Sequence, residues 1–568
     1  MTVTHRRALV VSRDDAGGSG DREAAAWWLR AGVAVGVPTA VFGLHALAYG
    51  RWIVDDAGIT FAYARSIATG AGPVLQPGAE PVEGFSNPAW LGLLVLARWV
   101  GLFDRGSWFG VPDYVAFPKL LALALVAGVF AFCYSAALAA TRRPVLVAIG
   151  AGLVTAVVPS FVIWTVSGLE NALLAFAVAG IAAVLVRAVV AGRLLEPATA
   201  VRCGLLAALA ALTRPDGLIY AAAFPLVLLL LLHRHDLRPA VRAAALSVLV
   251  FAVPTLAYLA WRLAVFGEFV PNTAIAKAQG LPDLGAALRP GELVTYVGWP
   301  AALLAVAAIG AAVLQPGVRR RALVALLVPL GLAVVAFGVL APDWMGQLRF
   351  ATPVWPLGAL AAVVAAVSVA PRVVGRGQVV VAVLAAGAAA VSGLVLLDGA
   401  RAFRADPTAP LCLVAQNTGW AINSFAEAVD VADPVLAAPD IGATALVSNL
   451  EVVDVVGLAD RRVARFWADG DLAGLRTHIL TEVRPTFITL GPTWERVTEL
   501  GRDPRLAQDY ARIVTTPAGV TYWVRRDALG PRGLAALRAR AVQVVAADEE
   551  ARRSPRASCG DVLVPREG

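Results

Sequence analysis

Arg51-Trp52-Ile53-Val54-Asp55-Asp56-Ala57-Gly58-Ile59-Thr60-Phe61-Ala62-Tyr63-Ala64-Arg65 follows directly on an apolar run from 27 to 48, and the reading of the chain turns on that junction. A helix needs about 20 apolar residues to cross the hydrocarbon core of a bilayer, so the run reads as a span. Two adjacent carboxylates at the end of a span are costly unless they have a partner or a task. Asp55 can cap the helix that follows and Asp56 can favour its N-terminal dipole, together contributing on the order of 1–2 kcal/mol. Catalysis is the competing role, and the two are compatible because a cap fixes a carboxylate in space. Ile59, Tyr63 and Ile67 fall on one face of this helix, the pattern of a helix lying in the membrane interface.

The rest of the chain agrees with a membrane reading. Of its 568 residues 59% are hydrophobic and 15% charged, too much apolar surface for a water-soluble globule. Apolar segments recur at 27–48, 88–103, 117–140, 145–163, 171–190, 204–212, 218–232, 243–264, 297–314, 322–340, 353–370 and 379–397. The net charge of +8 does not form a nucleic-acid stripe: Arg142 and Arg143, Arg187 and Arg193, Arg234 and Arg238, Arg319 to Arg321, and Arg372 and Arg376 sit between apolar segments. By the positive-inside rule these clusters mark the cytoplasmic face. Residues 1–26 are then a cytoplasmic tail, while the loops at 49–87, at Ser167, at 271–277 and at 343–349 face outward. One step fails. Two full crossings between Ser86 and Arg142 would put that arginine pair outside, so one short segment, 88–103 or 204–212, is re-entrant or half-length. The expectation is 11 to 13 transmembrane helices over 27–398, with the N-terminus inside.

Past 398 the pattern changes to short apolar runs at 434–438, 452–456 and 486–490, with a hairpin over 513–524 turning at 517–519. This predicts an extracytoplasmic α/β domain over 399–540, followed by a disordered tail at 541–568. The four cysteines have no metal-ligand spacing and read as inert, with a Cys412 to Cys559 disulfide as the alternative. No histidine spacing suggests a metal site, no cofactor is called for, and a divalent metal is left open. No glycine-rich nucleotide loop occurs.

Further motifs accompany the aspartate pair: Glu83-Gly84-Phe85-Ser86-Asn87-Pro88, Ser167-Gly168-Leu169-Glu170, Arg214-Pro215-Asp216-Gly217, Pro271-Asn272-Thr273-Ala274-Ile275-Ala276-Lys277, and Asp343-Trp344-Met345 with Arg349-Phe350. In this order, and over most of the membrane region, they resemble the GT-C superfamily of integral membrane glycosyltransferases that use polyprenyl-phosphate sugars. Within it the chain looks most like actinobacterial cell-envelope arabinofuranosyltransferases, although Glu83-Gly84-Phe85-Ser86-Asn87 departs from that subgroup.

The resemblance implies an inverting transfer of a sugar, arabinofuranose or a hexose, from a polyprenyl-phosphate carrier to a glycan, glycolipid or protein on the outer face of a bacterial plasma membrane. Such chemistry needs a base for the acceptor hydroxyl and cations for the leaving phosphate. By resemblance Asp55 is the base and Asp56 positions the acceptor. Lys277 and Arg349 hold the carrier phosphate, and Glu83, Glu170, Asn272 and Trp344 contact substrate. The plain alternatives are interfacial snorkelling for Lys277, an interface tryptophan for Trp344, and a local ion pair of Arg214 with Asp216. A transporter or lipid-linked-sugar flippase would explain the spans but not the acidic first loop or the outer domain. The bilayer, a lipid-linked donor and a glycan acceptor are the expected partners, with no nucleic acid.

Overall fold

The computed structural model describes residues 15–231, 236–277, 284–429, 431–530 and 533–553, with Gly560 and Leu563. Among them seven helices are long and apolar enough to cross a membrane: Ala25–Leu47, Asp113–Ala140, Asn171–Val190, Leu237–Phe266, Val318–Val339, Val354–Arg372 and Arg376–Ala405. Two bent pairs raise the count to nine, Pro144–Ala156 with Pro159–Thr165 at 77° and Pro290–Val297 with Trp299–Val313 at 112°. Each pair breaks where a proline opens its second helix, a position where the missing N–H costs no helical bond. The count falls below the expected 11 to 13. It reaches eleven only if Pro197–Thr213 and Pro215–Leu231 also cross; the first is about 25 Å long at 1.5 Å per residue, short of the roughly 30 Å core, while the second, whose first eight residues form a more extended 3-10 helix, comes to about 30 Å.

The misfit near Arg142 has a simple origin. Pro88–Trp99 has 12 residues, about 18 Å of helix, so it does not cross. One outgoing span at Ala25–Leu47 and one return at Asp113–Ala140 then put Arg142 and Arg143 on the side where the first span begins.

The helix after the first span, Asp55–Ala68, is not an interfacial helix open to lipid. Tyr63, Phe61 and Ala64 are essentially inaccessible and Ile59 is 6% exposed. It packs against Pro88–Trp99 on one side and Gly442–Val447 of the C-terminal region on the other. Two glycines set that second contact: a Cβ on Gly58 would lie 2.6 Å from the carbonyl carbon of Gly442, and a Cβ on Gly442 would lie 1.9 Å from the Asp55 carbonyl oxygen. Only backbone fits there.

The C-terminal region holds a five-stranded sheet in the spatial order Glu451–Asp454, Val435–Ala438, Phe487–Leu490, Thr521–Arg525, Tyr510–Thr515. The first three strands are parallel and the last two antiparallel. Successive residues of a strand face opposite ways, and two cores result. Phe487 joins Leu436, Tyr522, Phe425 and Leu537 on one face, while Ile488 joins Ala437, Val463 and Leu475 on the other. The expected hairpin is the pair Tyr510–Thr515 and Thr521–Arg525. Gly533–Arg553 is helical, which extends structure into the part expected to be disordered; Leu537, Ala541 and Val544 on its one face cover the sheet. Cys559 lies outside the described residues, and so does any bridge to it.

Candidate active site

The loop ahead of Asp55 is clamped before the helix starts. Val54 donates to the Ser167 carbonyl at 3.1 Å, Asp55 donates to Ala409 at 2.9 Å, and Leu411 donates back to Ile53 at 2.9 Å. The helix cap is Val54, with no side-chain bond, so Asp55 is a first-turn residue and not a cap. Neighbours on a helix are about 100° apart, and the two aspartates diverge accordingly.

Asp55 turns to the C-terminal region. It is 4% exposed, and its carboxylate accepts from the backbone N–H of Gly442 at 3.1 Å and of Ala443 at 2.8 Å. Burial, and then the charge of Asp440, raise its carboxyl well above the usual carboxylate range against those two donors. Asp56 turns the other way. Among the described residues no hydrogen bond reaches its carboxylate, and it is half-buried. Burial raises its pKa, the charges of Lys277 and Arg349 lower it, and Asp343 and Glu170 raise it, with an upward balance. Those four groups come from three other segments of the chain.

Arg349 follows Gly346, Gln347 and Leu348, three consecutive residues with φ of 70°, 48° and 47°. Left-handed backbone costs roughly 1–2 kcal/mol at a non-glycine residue. Tyr296 donating to Gln347 Oε1 at 2.6 Å and Trp164 donating to the Gln347 carbonyl at 3.0 Å hold the turn. It delivers a guanidinium that is 7% exposed, with Nε 2.6 Å from Asp343 Oδ2, Nη1 on Met345 Sδ at 3.2 Å, and Nη2 without a protein partner among the described residues. Lys277 keeps an accessible face; burial and the charge of Arg349 lower its pKa while Asp56 works in the other direction.

Glu170 is buried and saturated, with Arg214 Nη1 on Oε1 at 2.8 Å and Asn87 Nδ2 on Oε2 at 2.8 Å. Burial works to raise its pKa, but Arg214, Arg349 and Asn87 together hold it below the ordinary value. Arg214 also bonds Asp216 at 2.9 Å and stacks 4.7 Å over Phe350. The local pair expected at Arg214 is present and extends to Glu170.

Two residues expected at substrate, Glu83 and Asn272, have protein partners, and Trp344 is open to its surroundings. Glu83 accepts from Tyr258 at 2.5 Å and from Arg262 Nε at 2.5 Å, tying the first loop to the end of Leu237–Phe266. Asn272 donates to the carbonyls of Gly457 at 2.7 Å and Leu458 at 3.1 Å, tying its loop to the C-terminal region. Trp344 is 64% exposed. Asp440 enters from the C-terminal region: desolvation of its carboxyl and the charge of Asp56 push it up to about 6, although the residue as a whole stays exposed. In the sequence it looks like any loop aspartate after a strand. Asp454, at the end of the next strand, instead accepts backbone N–H groups of Val456 at 2.9 Å and Ala459 at 2.8 Å, and shapes a turn.

Lys277, Arg349 and Asp440 therefore gather around the Asp56 carboxylate; Arg349 is paired with Asp343, and Lys277 has no partner among the described residues. Among the described residues no group of three or more His, Cys, Asp or Glu is arranged to hold a metal ion.

Comparison with known proteins bears on the fold. Residues 414–530 match a family described as "Domain of unknown function (DUF8728)". ArnT from Cupriavidus metallidurans, solved bound to undecaprenyl phosphate, superposes with a TM-score of 0.56 at 16% identity, covering 89% of this chain and 99% of that one. The archaeal oligosaccharyltransferase AglB from Archaeoglobus fulgidus, in complex with an inhibitory peptide and a dolichol-phosphate, gives 0.50 at 12% identity over 87% and 75%. A terminal beta-(1->2)-arabinofuranosyltransferase of Mycobacterium tuberculosis is 30% identical over 234 residues, which span 40% of this chain and only 35% of that relative's length. The chain is a multi-pass membrane protein with the GT-C fold.

Proposed function

We propose that this chain is a membrane glycosyltransferase that moves a sugar from a polyprenyl-phosphate carrier to a cell-envelope acceptor, with Asp56 as the general base. The observation that carries the proposal is the split of the aspartate pair. Asp55, the base expected from the sequence, has both carboxylate oxygens engaged by Gly442 and Ala443. Asp56 has a free carboxylate within the field of Lys277 and Arg349.

In the proposed reaction the acceptor hydroxyl oxygen attacks the anomeric carbon and gives its proton to Asp56. The bond from that carbon to the phosphate oxygen breaks, and its electron pair leaves with the polyprenyl phosphate. A single in-line displacement inverts the anomeric centre. Lys277 and the Nη2 edge of Arg349 receive the phosphate, stabilising charge that grows as the bond breaks. Asp440 accepts from a second hydroxyl of the acceptor. The bilayer holds the carrier chain, and the positive-inside rule puts the site and the sheet region on the extracytoplasmic side of the plasma membrane.

Partial similarity to an arabinofuranosyltransferase makes arabinofuranose the first sugar to try. The test is transfer by purified protein from defined polyprenyl-phosphate sugars, compared with nucleotide sugars. Transfer from the lipid carrier alone is the expected result, and efficient use of a nucleotide sugar without carrier would overturn the donor assignment.

A further inference from the structure

At the opposite end of the helices that build this site lies a second cavity, of about 680 Å³, that the proposed reaction does not use. Its walls are the C-terminal ends of Asp113–Ala140 and Asn171–Val190, the start of Pro197–Thr213, and Trp27 at the start of the first span. Glu170 marks the site end of Asn171–Val190 and Arg187 the cavity end, 17 residues on, so roughly 25 Å of helix separates them.

The chemistry of the walls is divided. Arg187, Arg193 and Arg202 carry three positive charges against the single negative charge of Glu196, and Phe132 and Leu138 supply apolar surface. Arg187 is steadied by Ser135 at 3.0 Å. Arg193 reaches Glu196 only at 3.5 Å, with both side chains more than half exposed. Arg202 has no hydrogen bond or ion pair among the described residues. A cation-rich pocket beside apolar helix flanks, with a tryptophan at its rim, suits a phosphate ester carried on an acyl chain. The N-terminal segment sets Arg6, Arg7, Arg13 and Arg22 against Asp14, Asp15, Asp21 and Glu23, so it brings no net negative charge to the walls.

We infer that this cavity binds the headgroup of an anionic phospholipid from the leaflet opposite the candidate active site, with the phosphate on Arg187 and Arg202 and an acyl chain along the Phe132 and Leu138 side. The arginines that read as a topology marker in the sequence then also form a lipid site.

The test uses the full purified chain in neutral detergent, with thermal unfolding and retained-lipid mass as readouts, and phosphatidylglycerol, phosphatidylcholine and inorganic phosphate as probes. Phosphatidylglycerol should raise Tm and be retained, and the other two should do neither. At about 1 kcal/mol per surface arginine, Arg202→Gln should weaken retention roughly fivefold without unfolding a chain in which that side chain has no partner. Adding Arg187→Gln should bring the loss to roughly 30-fold. Arg372→Gln, on the same face but outside the cavity, should have no effect. Equal effects of phosphatidylcholine, or a double variant that still prefers phosphatidylglycerol, would overturn the site. Inorganic phosphate acting as strongly as phosphatidylglycerol would make it a free-phosphate site and overturn the lipid assignment.

Discussion

Asp55 and Gly442 meet with no room for a side chain between them: a Cβ on the glycine would lie 1.9 Å from the aspartate's carbonyl oxygen, while the aspartate's carboxylate takes the glycine's N–H at 3.1 Å. One residue of the aspartate pair thus joins the first-loop helix to the sheet region, and the carboxylate of the other accepts no hydrogen bond among the described residues.

Asp56→Asn should therefore unfold at the wild-type temperature and lose turnover by roughly 100-fold or more, the usual contribution of a general base. Asp55→Asn should do the reverse in the first respect. Its amide NH2 would face one of two backbone N–H donors, leaving that donor unpaired at about 1–3 kcal/mol, which a thermal melt would read as a lower Tm. Wild-type turnover in Asp56→Asn would return the base to Asp55.

Gly442→Ala tests the contact from the other side. The added methyl must push the sheet region off the first-loop helix, so limited proteolysis should cut the region between Ala405 and Val435 faster than in wild type. Unchanged protection would mean that the contact absorbs the methyl without opening.

The acid limb of the activity profile reports Asp56, which acts as a base only when ionised. Burial and its acidic neighbours raise its pKa and Lys277 lowers it, so activity falls as pH drops through that raised value. Lys277→Met removes a charge that favours the carboxylate. The midpoint of the acid limb should move to higher pH, together with a lower plateau from the lost phosphate contact. A midpoint that stays still would separate Lys277 from Asp56.

Arg349→Lys keeps a charge but loses the planar fork and its position against Asp343 and Met345. Its kcat should drop clearly, and that of Arg349→Ala further, because the contact strengthens as the phosphate leaves. A rise in KM with unchanged kcat would show uniform donor binding instead.

Sidedness is checked with single cysteines and an impermeant thiol reagent. Positions beside Lys277 and Asp440 should label from outside the cell, and positions beside Arg143 and Arg320 should not. Labelling of Lys277 and Asp440 from opposite sides would dismantle the site.

The membrane class was legible because spans are written in runs of about twenty apolar residues, and the strands at 435–438, 451–454 and 487–490 because their apolar runs are short and bounded. The aspartate pair was equally visible. Which of the two faces substrate was not, because the difference is a 100° turn of helix resolved by partners 387 residues away. Glu83 and Asn272 looked like substrate ligands since buried polar residues in loops look alike whether they hold a sugar or a carbonyl; here Tyr258, Arg262, Gly457 and Leu458 claim them. Asp440 stood beside Asp454 and Asp460 as an aspartate near a strand end that could meet an acceptor glycan or simply face water, and nothing local separates the three.

The first loop is the earliest part of this site to be synthesised and the last to be completed. Its partners arrive 175 and 179 residues later for Glu83, 374 for Gln76, and 387 and 388 for Asp55. At roughly 5–20 residues per second Glu83 waits on the order of 10 to 35 seconds for its partners and Asp55 on the order of 20 to 80 seconds. A chain that ended between Ala405 and Ala443 would keep every span but leave Asp55 without its partners. Maturation of the protein is thus timed by its C-terminal region, whatever the rate at which the helices enter the bilayer.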